Sequence, residues 1–187
     1  MKEEIIKLLE LTKREGMDKL IEWLIKDGFF ESPASTRFHG CYSGGLATHS
    51  LNVLKNLRRF IDALHLEVPV YSVVIATLLH DVCKIGAYIG KEKPYSFNKM
   101  QPAGHAKLSL ERIKKFIELT ELEEKMILYH MGVYGLVEFQ DPGQEHKGEY
   151  NLRNEGMANA WFHYPIVKLM YFCDEIATLQ EKAEEKK

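Results

Sequence analysis

Six residues of this chain, His49, the adjacent His80 and Asp81, His105, His130 and Asp174, are of types that could hold a metal. Imidazole nitrogen and carboxylate oxygen without thiolate suit a first-row transition metal that does chemistry, and suit a structural zinc staple less well. At about 100° per residue along a helix, His130 shares a face with Leu119, Leu122 and Met126, and Asp174 shares one with Val167, Met170 and Tyr171. Both polar groups therefore point inward. A carboxylate on an apolar face is costly unless it is paired or bound to a metal, and a cation shared with the imidazoles would meet all of these costs together. His49 lies on one face with Asn52, Val53 and Asn56, and Lys84, three residues beyond Asp81, can reach the same cavity. A lone inward histidine is more often a core residue bonded to a backbone carbonyl, an alternative that competes hardest for His105. Of the remaining histidines, His65 reads as surface, His146 as solvated and His163 as a packing residue, whereas His39 stays a candidate.

The elements that must position these groups read as helices, with no alternating strand pattern to compete, so the expected fold is all-α. Ile5, Leu8, Leu9 and Thr12 make one stripe, and Leu20, Ile21, Trp23, Leu24 and Ile25 a second that closes at Asp27-Gly28; the two should cap the core. A helix from about Gly45 to Leu64 carries His49, one from about Val70 to Ile85 carries the His-Asp pair, and a third begins near Gly104. Another spans about Glu121 to Met131, and a last long one follows Pro165. Two stretches, Gly86 to Ala103 and Gly132 to Asn154, read as long irregular loops of the kind that form functional mouths.

At 187 residues and 45% hydrophobic content the chain suits one globular domain, residues 1–34 serving as the N-terminal cap and 35–180 as the core. Its 25 basic and 27 acidic side chains nearly cancel, so no broad positive field would draw it onto duplex nucleic acid, while a small anionic substrate remains open. Cys41, Cys83 and Cys173 are few and widely spaced, as reduced thiols in a cytoplasmic protein would be. The N-terminus has neither a signal-peptide core nor a stretch long enough to cross a bilayer, and no membrane partner is expected. Nothing in the composition speaks to oligomeric state.

With His49, His80-Asp81 and Asp174 in place, the chain resembles the HD-domain metal-dependent phosphohydrolase superfamily, an all-helical bundle. Leu78 to Lys84, LLHDVCK, is similar to its HD-x-G-K signature, with Cys83 where Gly is common. The segment from Phe38 to Ser50 resembles the one leading into the first ligand in the branch that holds bacterial 3'-5' exoribonucleases and relaxase-associated HD proteins. Resemblance to the subset with two extra histidines implies a dinuclear site: His49, His80, Asp81 and Asp174 on one ion, His105 and His130 on the other, and Asp81 bridging. Manganese or iron is favoured, with zinc, cobalt or nickel open. Asp81 and Lys84 would be catalytic, through a metal-activated bridging water and a charge on a phosphate oxygen. Arg37, His39, Tyr42 and Lys99 are the candidate substrate contacts, since basic groups beside aromatics suit a phosphate and a stacked base. The chain has no room for the nucleic-acid-binding domain of the exoribonucleases. The expected substrate is therefore a phosphate ester of a nucleotide, short oligonucleotide or cyclic dinucleotide. Two alternatives stay open: an HD-fold diiron oxygenase on a small organic substrate, and a non-catalytic nucleotide-binding module.

Overall fold

A computed structural model of the protein describes residues 1–36, 39–90, 94–101, 105–132 and 147–184, the side chains of 147–154 aside. Its elements are α1 (Lys2–Glu10), α2 (Met17–Lys26), α3 (Gly45–Ala63), α4 (Val70–Leu79), β1 (Tyr88–Ile89), β2 (Ser96–Phe97), α5 (His105–Ile113), α6 (Glu121–Leu128), α7 (Lys147–His163) and α8 (Pro165–Glu184). The fold is all-α but for one antiparallel hairpin pairing Tyr88 with Phe97 and Ile89 with Ser96.

The core is organised around α4. Its residues 72–79 are all buried, as a helix apolar on every side must be, and it packs between α3 and α6. On its far side α3 runs against the long α8. The α1 stripe buries Ile5, Leu9 and Thr12, that of α2 buries Leu20, Ile21 and Leu24, and α1 touches both α2 and α4.

Entry of the chain into α3 depends on two glycines. Gly44, at φ 86°, caps the helix in the left-handed region. A Cβ on Gly45 would fall 2.0 Å from the Gly40 carbonyl oxygen, so only glycine lets the preceding loop fold back against the helix that carries His49.

Three expected boundaries differ. The helix expected from Val70 to Ile85 ends at Leu79 and continues as a 3-10 turn over Val82–Lys84, with Asp81 between them at φ −109°, ψ 15°. The Arg112 Nη1 donates to the carbonyls of Val82, Cys83 and Ile85, holding in place a turn that local propensity alone would have let run on as helix. The stretch Gly86 to Ala103 holds the hairpin, pinned by Asn98 Nδ2 donating to the Gly86 carbonyl at 2.9 Å. Most of the stretch expected as irregular from residue 132 lies outside the described residues, but its end belongs to α7. Gly148, Gly156 and three asparagines blur any apolar period in α7, which is instead packed along α8. A Cβ at Gly156 would meet the Tyr129 hydroxyl at 2.5 Å, so this glycine serves a close approach to the end of α6. His65 is exposed as expected, His163 is exposed where packing was expected, and His146 lies outside the described residues.

The cap and the site side of the molecule share one buried ion pair. Arg14, between α1 and α2, grips Glu123 of α6 with two nitrogens at 2.6 and 3.0 Å. Glu123 also accepts from Ser72 at 2.8 Å and closes a capping box with Thr120. Removing one partner of such a pair leaves the other groups unsatisfied. Glu123→Ala should therefore lose about 3 kcal/mol in denaturant unfolding, and Glu123→Gln, which keeps part of the bonding, clearly less.

Candidate metal centre

Every side chain of the six-residue series converges on one region. His49 comes from α3, His80 and Asp81 from the end of α4 and the turn after it, His105 from the first turn of α5, His130 from two residues past α6, and Asp174 from the middle of α8. His49, His80, Asp81 and His130 have 2% or less of their surface exposed.

The Nδ1 atoms explain the ring orientations. His80 Nδ1 donates to the Thr77 carbonyl at 2.8 Å and His130 Nδ1 to the Ile127 carbonyl at 2.6 Å, each three residues back on its own helix. His49 Nδ1 faces the Glu181 carboxylate at 3.2 Å, and His105 Nδ1 lies 3.0 Å from Cys83 Sγ. Each Nε2 is left to face the interior. Anchoring one ring nitrogen fixes the tautomer and the aim of the other, as metal-ligating histidines require.

At the centre is Asp81. Its Oδ2 receives the Lys84 ammonium at 2.6 Å and has His80 Nε2 at 3.5 Å. Its Oδ1 has His105 Nε2 at 2.7 Å and His130 Nε2 at 3.5 Å. The 2.7 Å approach lacks the alignment of a hydrogen bond, because Asp81 Oδ1 and the Nε2 atoms of His80, His105 and His130 are all buried without a hydrogen-bond partner. His49 Nε2 meets Asp174 Oδ1 at 2.8 Å.

Unpartnered buried nitrogens and oxygens of this kind are costly unless something else binds them. Ligand atoms of His49, His80 and Asp81 lie within 4.8 Å of one another, as do those of Asp81, His105 and His130, and those of His80, His130 and Asp174. The donor set, nitrogen and oxygen only, fits a divalent transition metal.

Electrostatics divide the imidazoles. Burial pulls the His49 pKa down, but the hydrogen-bonded Asp174 and Glu181 carboxylates raise it to about 10. His105 is likewise raised, with Asp81 and Cys83 overcoming its burial. Burial carries His80 down to about 3 despite Asp81. The Asp81 and Asp174 carboxyls, which burial alone would raise, are held well below the usual range, by Lys84 and the histidines for Asp81 and by His49 for Asp174. Asp81 in turn keeps the Lys84 ammonium charged against its burial.

Among the candidate substrate contacts, His39 stacks obliquely on His49 with ring centroids 4.8 Å apart, and its Nε2 is buried without a partner. Burial, His49 and Lys84 lower its pKa to about 4. Tyr42 is 38% exposed three residues before α3 begins, and Lys99 is exposed beyond β2 with no ion pair to the centre among the described residues. Arg37 lies outside the described residues.

Glu181 was not anticipated. It is 3% exposed, accepts from Asn52 Nδ2 at 2.9 Å and holds His49 from behind. Its position seven residues after Asp174, two turns along one face, was the available signal. Cys83, in sequence a departure from the HD-x-G-K pattern and one of three thiols, faces His105 Nδ1 in the fold.

Residues 46–154 match the protein family described as HD domain. A curated relative, dihydroneopterin 2',3'-cyclic phosphate phosphodiesterase of Methanocaldococcus jannaschii, is 35% identical over 107 residues, a match covering 48% of this chain and 43% of that protein. The chain thus spans less than half the length of the relative. No solved structure matches significantly.

A ligand imidazole must be free of its Nε2 proton, so binding a divalent ion has to displace protons from His49 and His105, while the already ionised carboxylates add no pH dependence. Metal affinity should accordingly rise between pH 6 and pH 9, by up to about tenfold per pH unit for each proton released. Calorimetric titrations in buffers of different ionisation enthalpy would count those protons, and an affinity flat across this range would contradict the assignment.

Proposed function

The chain belongs to the HD-domain family, and on that premise we propose that it is a metal-dependent phosphohydrolase acting on a small phosphate diester, with a cyclic phosphate on a ring-bearing, nucleotide-like molecule as the favoured substrate class. The observation that carries this reading is the cluster of buried, unpartnered ligand atoms around Asp81 with the Lys84 ammonium held beside it. The similarity to a cyclic phosphate phosphodiesterase supports the diester, over a match too short to transfer the relative's activity whole.

Two divalent ions, manganese or iron favoured, held by His49, His80, Asp81 and Asp174 and by Asp81, His105 and His130, would supply Lewis acidity toward phosphoryl oxygens and acidify a water between them. The chain's own groups do the rest. By holding the ions, Asp81 and the histidines would set the direction from which water reaches phosphorus. Lys84, kept charged by Asp81 and 12% exposed, places a positive charge where a non-bridging phosphate oxygen gains charge as the water oxygen bonds to phosphorus. One ester P–O bond breaks in exchange, and the leaving oxygen takes up a proton. His39, beside His49 with an unpartnered Nε2, would donate to or accept from the ester. The burial of His49, His80, Asp81 and His130 limits access of bulk water and strengthens each of these interactions.

Three free, buried cysteines suit a reducing compartment such as the cytoplasm, and among the described residues no helix is long and apolar enough to cross a membrane.

Purified protein loaded with manganese or iron should hydrolyse 2',3'-cyclic nucleotides or related cyclic phosphates, and chelation should abolish the activity. Asp81→Asn should fall to background, and Lys84→Met should lose about 100-fold in kcat/KM with Lys84→Arg partly restored. Turnover that survives chelation or Asp81→Asn, or that consumes dioxygen and releases no phosphate ester product, would overturn this reading.

A further inference from the structure

The four imidazoles around Asp81 do not lean on the same kind of partner. His80 and His130 rest on backbone carbonyls and His49 on a carboxylate, all oxygen, whereas His105 rests on the sulfur of Cys83 at 3.0 Å. That sulfur is held in place by its backbone. The Cys83 N–H donates to Ser109 Oγ at 3.1 Å, and its carbonyl accepts from Gln101 Nε2 at 2.5 Å and from Arg112 Nη1 at 3.2 Å. Ser109 and Arg112 belong to α5, the helix whose first residue is His105, so the thiol and the imidazole it faces are anchored to one element from both ends. Cys83 is 3% exposed, which leaves its sulfur little freedom to turn elsewhere. On the opposite side of the ring, His105 Nε2 is buried, lacks a hydrogen-bond partner and is aimed at Asp81 Oδ1.

We propose that Cys83 is a positioning residue for the metal centre: it holds His105 by Nδ1 so that Nε2 is presented to the ion shared by Asp81, His105 and His130. The proposal rests on the two-ion reading above. A backbone carbonyl three residues back holds His80 and His130 in this way, whereas among the described residues the partner of His105 Nδ1 is the Cys83 sulfur. The side chain of the preceding turn supplies the acceptor instead. To ligate through Nε2 the neutral ring must carry its proton on Nδ1, and sulfur accepts that proton's hydrogen bond. Groups behind a ligand commonly govern metal affinity by about 10–100-fold. Here the effect should fall on one ion of the pair, because the hydrogen bonds and ion pairs described for His49, His80 and Asp174 run to Glu181, Thr77, Asp81 and one another, not to Cys83.

The test is a calorimetric titration of manganese(II) into the metal-free full-length chain, followed by electron paramagnetic resonance of the loaded protein. Wild type should fill in two steps and show a spin-coupled pair. Cys83→Ala should weaken the second step by about 10–100-fold and leave the first within about twofold, so that at limiting manganese an uncoupled single-ion signal replaces the coupled one. Cys83→Val, which fills the volume without an acceptor, should behave as Ala does, and Cys83→Ser, whose hydroxyl can accept, should restore part of the second step. The first step reports in each variant that the core is folded. Two steps unchanged in Cys83→Ala and Cys83→Val would overturn the role of Cys83 alone. A single step in wild type would overturn the two-ion reading and this proposal with it.

Discussion

A carboxylate with 2% of its surface exposed cannot remain charged in a protein interior unless opposite charge is brought to it, and Asp81 is such a group. Much of the molecule answers that requirement. Lys84 is delivered three residues later by a tight turn, and three imidazoles approach the carboxylate from the helix before it and from two others. One lysine does not exhaust the demand, since Asp81 Oδ1 and three ring nitrogens are left without hydrogen bonds. The shortfall is polar, preorganised and of a size for cations, which makes the cost of the buried carboxylate a driving force for metal binding.

The turn after α4 links this electrostatic demand to the rest of the fold. Were α4 to continue as a regular helix, Asp81 and Lys84 would still share a face, but the carbonyls of residues 82, 83 and 85 would be spent on the helix ladder. Arg112 and Gln101 take up those carbonyls instead. Asp81 thereby sits in the sparsely populated backbone region between helix and strand, where active-site residues often lie. The same α5 that sends Arg112 into the turn begins with His105, so the turn and one ligand move as a unit.

Behind the ligands, a layer of acceptors decides how they point. Carbonyls of Thr77 and Ile127, the Glu181 carboxylate and the Cys83 sulfur each hold one imidazole by Nδ1. This layer draws on α4, α6, the turn and α8, which is why the order of the whole bundle matters to a centre built from six side chains. The Arg14–Glu123 pair extends the chain of support to the N-terminal helices, since Glu123 is in the helix that leads to His130.

How far all this was legible in the chain depends on whether a feature is local. Helical period marked α1, α2, α3 and α8, and placed Asp174 and His49 on inward faces, because side-chain direction along a helix follows from residue spacing alone. The six candidate ligands were nameable because inward charge is rare enough to signal itself. The break in α4, the hairpin and helix α7 were not legible: each is decided by partners distant in sequence, Arg112 for the turn, Asn98 for the hairpin and α8 with Tyr129 for α7. The acceptor roles of Glu181 and Cys83 were not legible for the same reason, since an acceptor is recognised only by the nitrogen it faces, 132 and 22 residues away respectively. Residue types and periodicity by themselves determined an all-α chain with an inward metal-ligating series. Only the tertiary structure decided which nitrogen of His49 and of His105 faces the centre, because that choice is made by Glu181 and Cys83 on segments the sequence keeps apart, whereas His80 and His130 are aimed by carbonyls three residues back.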